Sequence, residues 1–311
     1  MKRLIAAMLA TVLAGPAMAE FPEKEITLVV PSAPGGSGDR VARTLSKYNR
    51  AIKAFGQEIT VKNSRGGGGS VASRQVKEAD PDGYTILLLH QGLITANVLG
   101  VTTYGPEAFE PLAEVAQQCL VYVGSPETPY ANYKEAVEAV KAGSKLREAA
   151  NIGAPAHFAS MYLNEVAGID VTLVQAGQGS ERLASLMGGH TDVSIFAVSE
   201  ALAYQENGLK PLVIMSAERD PVLPDVPTAK ELGYDAEFCI GNWILAPKGT
   251  PEDVLAKLRQ GLETLMTDPE LVKEMTEGGF KPVFVSGDAL AAKIEASTQT
   301  IKRLGAKIEK K

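Results

Sequence analysis

ITLVVPSAPGGSGDRVARTLSKY, Ile26 to Tyr48, runs from an apolar strand pattern through a glycine loop directly into an amphipathic helix. The run Ile26–Val30 is short, β-branched and closed by Pro31, which reads as a buried strand. Residues Asp39 to Arg50 carry helical periodicity, and Ser37 or Asp39 can cap that helix. Gly35, Gly36 and Gly38 let the main chain approach a ligand closely. The helix start adds about half a positive charge, which favours a carboxylate or phosphate. A plain strand-to-helix turn accounts for the same glycines, and the pattern is neither G-x-G-x-x-G nor the lysine-bearing P-loop.

The same rhythm continues outward. EITVKN (58–63) precedes a helix over Ser70–Glu78, and YTILLL (84–89) leads into a turn-rich segment. From Tyr133 the rhythm restarts: NYKEAVEAVKAG as a helix, EAANIG as a strand, His157–Ala167 as a helix and VTLVQA as a strand. A helix over Ser180–Met187 and the strands TDVSIF and LKPLVIMS follow. Beyond Pro251 the pattern is mostly helix, in three segments that each open on helix-start residues. Alternating strands and helices predict a mainly parallel sheet covered on both faces, in two α/β lobes. Ligands in such folds sit at the carboxyl ends of strands.

The ends and the composition narrow the class. Lys2 and Arg3, the apolar run Leu4–Leu13 and Ala17-Met18-Ala19 form a signal-peptide pattern, so residues 1–19 are expected to be removed and the chain to begin at Glu20. The apolar run is about half the roughly 20 residues of a membrane span. The 31 basic and 37 acidic residues become 29 and 37 once Lys2 and Arg3 are gone, a net charge of −8. That balance argues against nucleic acid and anionic lipid as partners, so any anionic ligand must be attracted locally. Cys119 and Cys239 are either one disulfide in an oxidising compartment or two inert thiols.

Other loops could carry chemistry. NSRGGGGS (63–70) is a second glycine cluster between a strand and a helix. HQGLITAN (90–97) follows a strand at the same end of the sheet, where His90 is either a ligand donor or a structural group. His90, His157 and His190 stand far apart with no metal-ligand spacing, and no cofactor motif is present. A hydrolytic triad of Ser37, Asp39 and His90 would require a geometry for which no G-x-S-x-G elbow exists.

The segments ITLVVPSAPGGSGDRVAR, VKNSRGGGGSVA, DPDGYTILL, LMGGHTDV, SAERDPVLPDVPTAKELG and WILAPKGTPEDVLAKL occur in this order over nearly the whole chain. In that arrangement the sequence resembles the tripartite tricarboxylate transporter substrate-binding proteins, the Bug or TctC family. The resemblance implies a type II periplasmic binding protein fold: two α/β lobes joined by crossover strands around a ligand cleft. Lobe I would comprise residues 20–123 and 245–311, and lobe II residues 124–244. It further implies a periplasmic, non-enzymatic protein that captures a small organic acid, a di- or tricarboxylate or similar, and delivers it to the membrane permease subunits; a monomer is expected because no segment reads as an oligomer seam. A sensing subunit that docks on a membrane kinase would use the same cleft.

By the resemblance, the ligand loop falls on Ala33, Pro34, Gly35, Gly36, Ser37 and Asp39. The facing contacts fall on Gly153, Ala154, His157, Gln178, Gly179 and Phe196, with His90 and Gln91 completing the wall. Cys119 and Cys239 would lie near the two crossovers, which favours a disulfide there. This chain has Ser32 and Ala176 where many relatives carry aromatics, and Ala197 where they carry Asp, so a wider or more polar cleft is expected.

Overall fold

The computed structural model describes residues 21–308, so the expected signal peptide and its cleavage site lie outside the described residues. Among the described residues, ten strands and ten α-helices are assigned. In chain order they begin β1 (Ile26–Val30), α1 (Ser37–Ile52), β2 (Ile59–Asn63), α2 (Ser70–Lys77), β3 (Thr85–Leu89) and α3 (Gly92–Val98). The long strand β4 (Phe109–Gly124) leads to α4 (Tyr133–Lys141), β5 (Arg147–Ala150), α5 (Pro155–Ala167), β6 (Thr172–Gln175), α6 (Gly179–Met187), β7 (Val193–Ala197), α7 (Val198–Ala203) and β8 (Lys210–Ile214). The chain returns through β9 (Cys239–Pro247) to α8 (Glu252–Met266), α9 (Pro269–Glu277), β10 (Lys281–Ser286) and α10 (Gly287–Ile308).

The strands lie in the order β2-β1-β3-β9-β4-β7-β5-β6, with β8 and β10 also paired to β4. At one end β1 pairs in parallel with β2 and β3, and at the other β5 pairs in parallel with β6 and β7. The middle is antiparallel: β9 joins β3 to β4, and β4 joins β7. The expectation of a mainly parallel sheet therefore holds within each half and fails between them, because β4 and β9 run in opposite directions through the centre. Strand β4 serves both halves. From Phe109 to Cys119 it pairs with β9, and from Leu120 to Gly124 with β7 and β8.

Side-chain alternation explains why the first strands are apolar throughout. Val29, Leu87 and Leu89 enter one core, while Ile26, Leu28, Val30, Ile86 and Leu88 enter the core on the opposite face. A third cluster around Val121, Val123, Phe196 and Ile214 fills the far half.

Three local readings are corrected. The turn-rich segment after β3 is helix α3, which seven residues of modest propensity form because Leu93 and Ile94 are buried against the core. The tail contains strand β10, which KPVFVS builds by pairing antiparallel with β4. Neither Ser37 nor Asp39 caps α1. The helix starts at Ser37 after an N-cap at Gly36 with no side-chain bond, because both side chains are engaged elsewhere.

Candidate functional site

The loops that follow β1, β2 and β3 open at the carboxyl edge of the first parallel group, and those after β5, β6 and β7 at the carboxyl edge of the second. Ligands collect at such edges. One buried side chain on β4 bonds to both. Gln118 on β4 accepts the Ser37 hydroxyl at 2.7 Å and donates through Nε2 to the Ser199 hydroxyl at 2.6 Å. The start of α1 and the start of α7 thus face each other across one buried amide.

In the first loop the Gly36 N–H bonds to the Ala33 carbonyl at 2.9 Å, forming a turn that leaves Pro34 and Gly35 exposed. Asp39 is buried beneath it. Its Oδ2 accepts the Gly35 N–H at 2.7 Å and Arg43 Nε at 2.8 Å, while Oδ1 accepts Asn63 Nδ2 at 2.8 Å. Burial works against ionisation, but the bonds from Arg43, Asn63 and Gly35 outweigh it and hold the carboxyl below its ordinary range. Asp39 therefore shapes the loop, and its oxygens are spent before any ligand arrives. The second glycine cluster has positive φ at all four glycines, Gly66 to Gly69, which side-chain-bearing residues rarely adopt in succession.

His90 and His157 are arranged alike. His90 Nδ1 accepts the Gly92 N–H at 2.9 Å, and His157 Nδ1 accepts the Gly153 N–H at 3.2 Å. An Nδ1 that accepts fixes the neutral tautomer with the proton on Nε2. Burial pushes His90 down to about 4 and His157 below its usual value. Each ring offers an N–H donor and no charge, and the His157 Nε2 is buried without a partner. Behind the second histidine, buried Glu148 accepts Tyr122 and Ser160 hydroxyls, which fastens β5 to α5. Burial raises its carboxyl.

The remaining candidates are divided. Gln91 is spent on the centre of the sheet: Nε2 donates to the Cys239 carbonyl at 3.0 Å and Oε1 accepts the Gly241 N–H at 3.1 Å. Ala154 is the N-cap of α5 and Gln178 that of α6, with Gly179 buried as the first residue of α6. Phe196 is fully buried against Tyr204 and Arg182, so it packs beneath the edge and does not line it. Ser37, Asp39 and His90 each bond to other partners, and no triad is assembled. Among the described residues no group of three or more His, Cys, Asp or Glu side chains could hold a metal ion. Cys119 and Cys239 are opposite one another in the β4–β9 ladder and joined by a disulfide.

Sequence reasoning missed Gln118, Ser199, Glu181 and Glu200. The two glutamates had a readable signal, an acid three residues beyond each helix N-cap. Gln118 and Ser199 had none, since their meeting depends on two segments 81 residues apart.

Comparison with known proteins gives the same picture. The TctC profile, described as tripartite tricarboxylate transporter family receptor, matches residues 41–311. A protein encoded in the ttuE-ttuC' intergenic region of Agrobacterium vitis is 30% identical, over 97% of this chain and 90% of its own. The structure of the periplasmic binding protein BugD superposes with a TM-score of 0.77 at 32% identity, over 92% of this chain and 98% of its own. MatC from Rhodopseudomonas palustris, with bound malate, gives 0.75 at 28% identity, over 92% and 100%. The fold is the two-lobe type II arrangement of these periplasmic binding proteins. The chain belongs to the TctC family of tripartite tricarboxylate transporter receptors, which are periplasmic solute-binding proteins.

Proposed function

We propose that this protein captures a small organic carboxylate between its two strand edges and delivers it to a tripartite tricarboxylate-type membrane permease. One observation carries the reading: α1 begins after an N-cap at Gly36 with no side-chain cap bond, in a loop whose only acid is already consumed by Arg43, Asn63 and Gly35. The first-turn N–H groups are therefore open to a ligand carboxylate, with the helix charge behind them. Neutral His90 and His157 supply donors without fixed charge, which suits a protein whose overall charge repels anions. No helix among the described residues is long and apolar enough to cross a membrane.

The proposal includes two lobes, residues 20–123 with 245–311 and residues 124–244, with ligand binding coupled to their closure. Support comes from the change of partner along β4, which falls between Cys119 and Leu120 in the same strand as the first boundary. It includes a leader removed after Ala19 and a monomeric binding unit. The distinction between liganded and open forms, read by the permease, requires only that the ligand favour one arrangement over the other.

The test is a thermal-shift panel on protein stripped of bound acid by unfolding and refolding, with mono-, di- and tricarboxylates, aromatic acids, amino acids and phosphate. A ligand present at about 100 times its Kd adds about 2.7 kcal/mol of stability. A carboxylate that shifts the melt of the wild type and not of Gly36→Val supports the reading. A panel in which only phosphate or nothing acts overturns it.

A further inference from the structure

The two edges differ in electrostatic design. On the first, the start of α1 is uncapped. On the second, α5 starts without a side-chain cap, whereas a carboxylate of the protein stands over the start of α6 and of α7 and accepts the N–H of the N-cap residue. Glu181 Oε2 accepts the Gln178 N–H at 2.5 Å, and Glu200 Oε2 accepts the Ala197 N–H at 3.1 Å. The other Glu200 oxygen, Oε1, extends over the start of α6, so close that a Cβ on Gly179 would collide with it. Oε1 has no partner among the described residues, and the side chain is one-third exposed. Capping accounts for one oxygen of Glu200 and leaves the second as an open acceptor.

The nearby cation does not convert this corner into an anion site. Arg182 is buried, donates Nη1 to the Gly177 carbonyl at 3.1 Å, lies 3.5 Å from Glu200 Oε2 and stacks 4.9 Å from the Phe196 ring. Its charge is directed beneath the edge. Distance from the first edge is short, because Ser199, the neighbour of Glu200, shares Gln118 with Ser37 at the start of α1. A small molecule with its carboxylate at α1 would thus present its far end toward Glu200.

We propose that Glu200 makes the site selective for a single-carboxylate acid whose far end donates hydrogen bonds, an ammonium or a hydroxyl, and makes it discriminate against a second carboxylate. The inference rests on the carboxylate-binding function proposed above and departs from the dicarboxylate bound in MatC. A second carboxylate beside Glu200 would lose solvation and meet a like charge, whereas an ammonium or hydroxyl would pair with the open oxygen.

Calorimetric titration with matched sets isolates the far end: 4-aminobutyrate, 4-hydroxybutyrate and succinate at four carbons, and alanine, lactate and malonate at three. The expected result is that the amino or hydroxy acid binds at least about tenfold tighter than its matched dicarboxylate in one or both sets. Glu200→Gln, which can keep the cap through its carbonyl and present an amide donor outward, should cut that ratio severalfold while Tm stays close to the wild-type value. Which of the amino and hydroxy acids leads identifies the donor. A wild type that prefers the dicarboxylate in both sets overturns the inference but leaves the proposed function intact, and so does an unchanged ratio in a folded Glu200→Gln. If no acid in these sets or in the wider panel binds, the proposed function fails as well.

Discussion

Cys119 lies directly opposite Cys239 in the β4–β9 ladder and is bonded to it, one residue before β4 changes partners from the first half of the sheet to the second. The bond closes a loop over a sequence separation of 120, which contains nearly the whole second half. In the chain-entropy account a loop of that size stabilises by about 4–5 kcal/mol, with strain able to reduce the figure. Cys119→Ala/Cys239→Ala should lower the urea midpoint substantially, and reductant should do the same to the wild type and nothing to the double variant. Equal midpoints in all four conditions would show that the ladder alone holds the strands together.

Gln118, the neighbour of Cys119, predicts how the two halves are coupled. It is 4% exposed and supplies both bonds that connect Ser37 with Ser199. Gln118→Leu fills the space and removes both. At about 0.5–1.5 kcal/mol per bond the joined arrangement loses about 1–3 kcal/mol. Ligand affinity should fall by roughly tenfold or more, and small-angle scattering should report a larger radius of gyration at saturating ligand than for the wild type. An unchanged affinity would mean that Gln118 is a packing residue only.

Asp39 gives a prediction with a sign in pH. Asp39→Ala strands the Gly35 N–H and the Asn63 amide and should cost about 2–3 kcal/mol of stability, with a large loss of ligand affinity because the loop no longer holds its turn. Its folded-state value lies below the ordinary one of 3.8. The stabilisation is therefore complete above about pH 4 and is lost as pH falls below that toward the folded value. The difference in urea midpoint between wild type and Asp39→Ala should be constant from pH 5 to 8 and shrink below 4. A difference that shrinks already at pH 6 would point to another group.

The histidines act in a different window. His90 titrates at about 4 in the folded protein against 6.5 for a free group, and His157 is also lowered. Unfolded chains bind these protons first as pH drops, so both contributions to stability are full above 6.5 and decline below it, that of His90 draining between 6.5 and about 4. Because His90 stays neutral through that range, it should not make ligand affinity depend on pH between about 5 and 8. The urea midpoint of His90→Gln should fall less steeply over that window than that of the wild type. Parallel slopes would remove His90 from the account.

The strand–loop–helix units were legible because each is local. The apolar pentads, the glycine loops and the helix starts lie within a few residues of one another, and β1, β2, β3, β5, β6 and β7 all fall where the sequence pattern places them. The interior of β4 was not, since EPLAEV offers no clean alternation: Pro111 and Glu114 sit in it, and the buried Glu114 is met by Lys293 of α10 at 2.5 Å and by Gln117 at 3.3 Å. Site positions divide in the same way. Gly36 and the histidines could be placed from neighbours in sequence, whereas the Asn63 partner of Asp39 and both partners of Gln91 lie on other strands. The Gln91 side chain looked available because both of its partners are remote in sequence.

Gly153 carries the last prediction, which concerns the place where the two halves touch. It has φ +90° in the loop before α5, donates to His157, and a Cβ there would come within 2.9 Å of Leu99 Cδ1, just past the end of α3. Gly153→Ala therefore meets two obstacles, a backbone conformation that costs about 1–2 kcal/mol for an L residue and a steric clash with a side chain from the other half. Leu99→Ala removes only the second. If contact between Leu99 and the loop matters for bringing the halves together, Gly153→Ala should weaken ligand binding more than it lowers the melting temperature. The double variant Leu99→Ala/Gly153→Ala should then recover part of the affinity but not the backbone cost, a coupling that a double-mutant cycle measures directly. Strict additivity in both binding and stability would show that Leu99 moves aside freely and that the two halves do not depend on this contact.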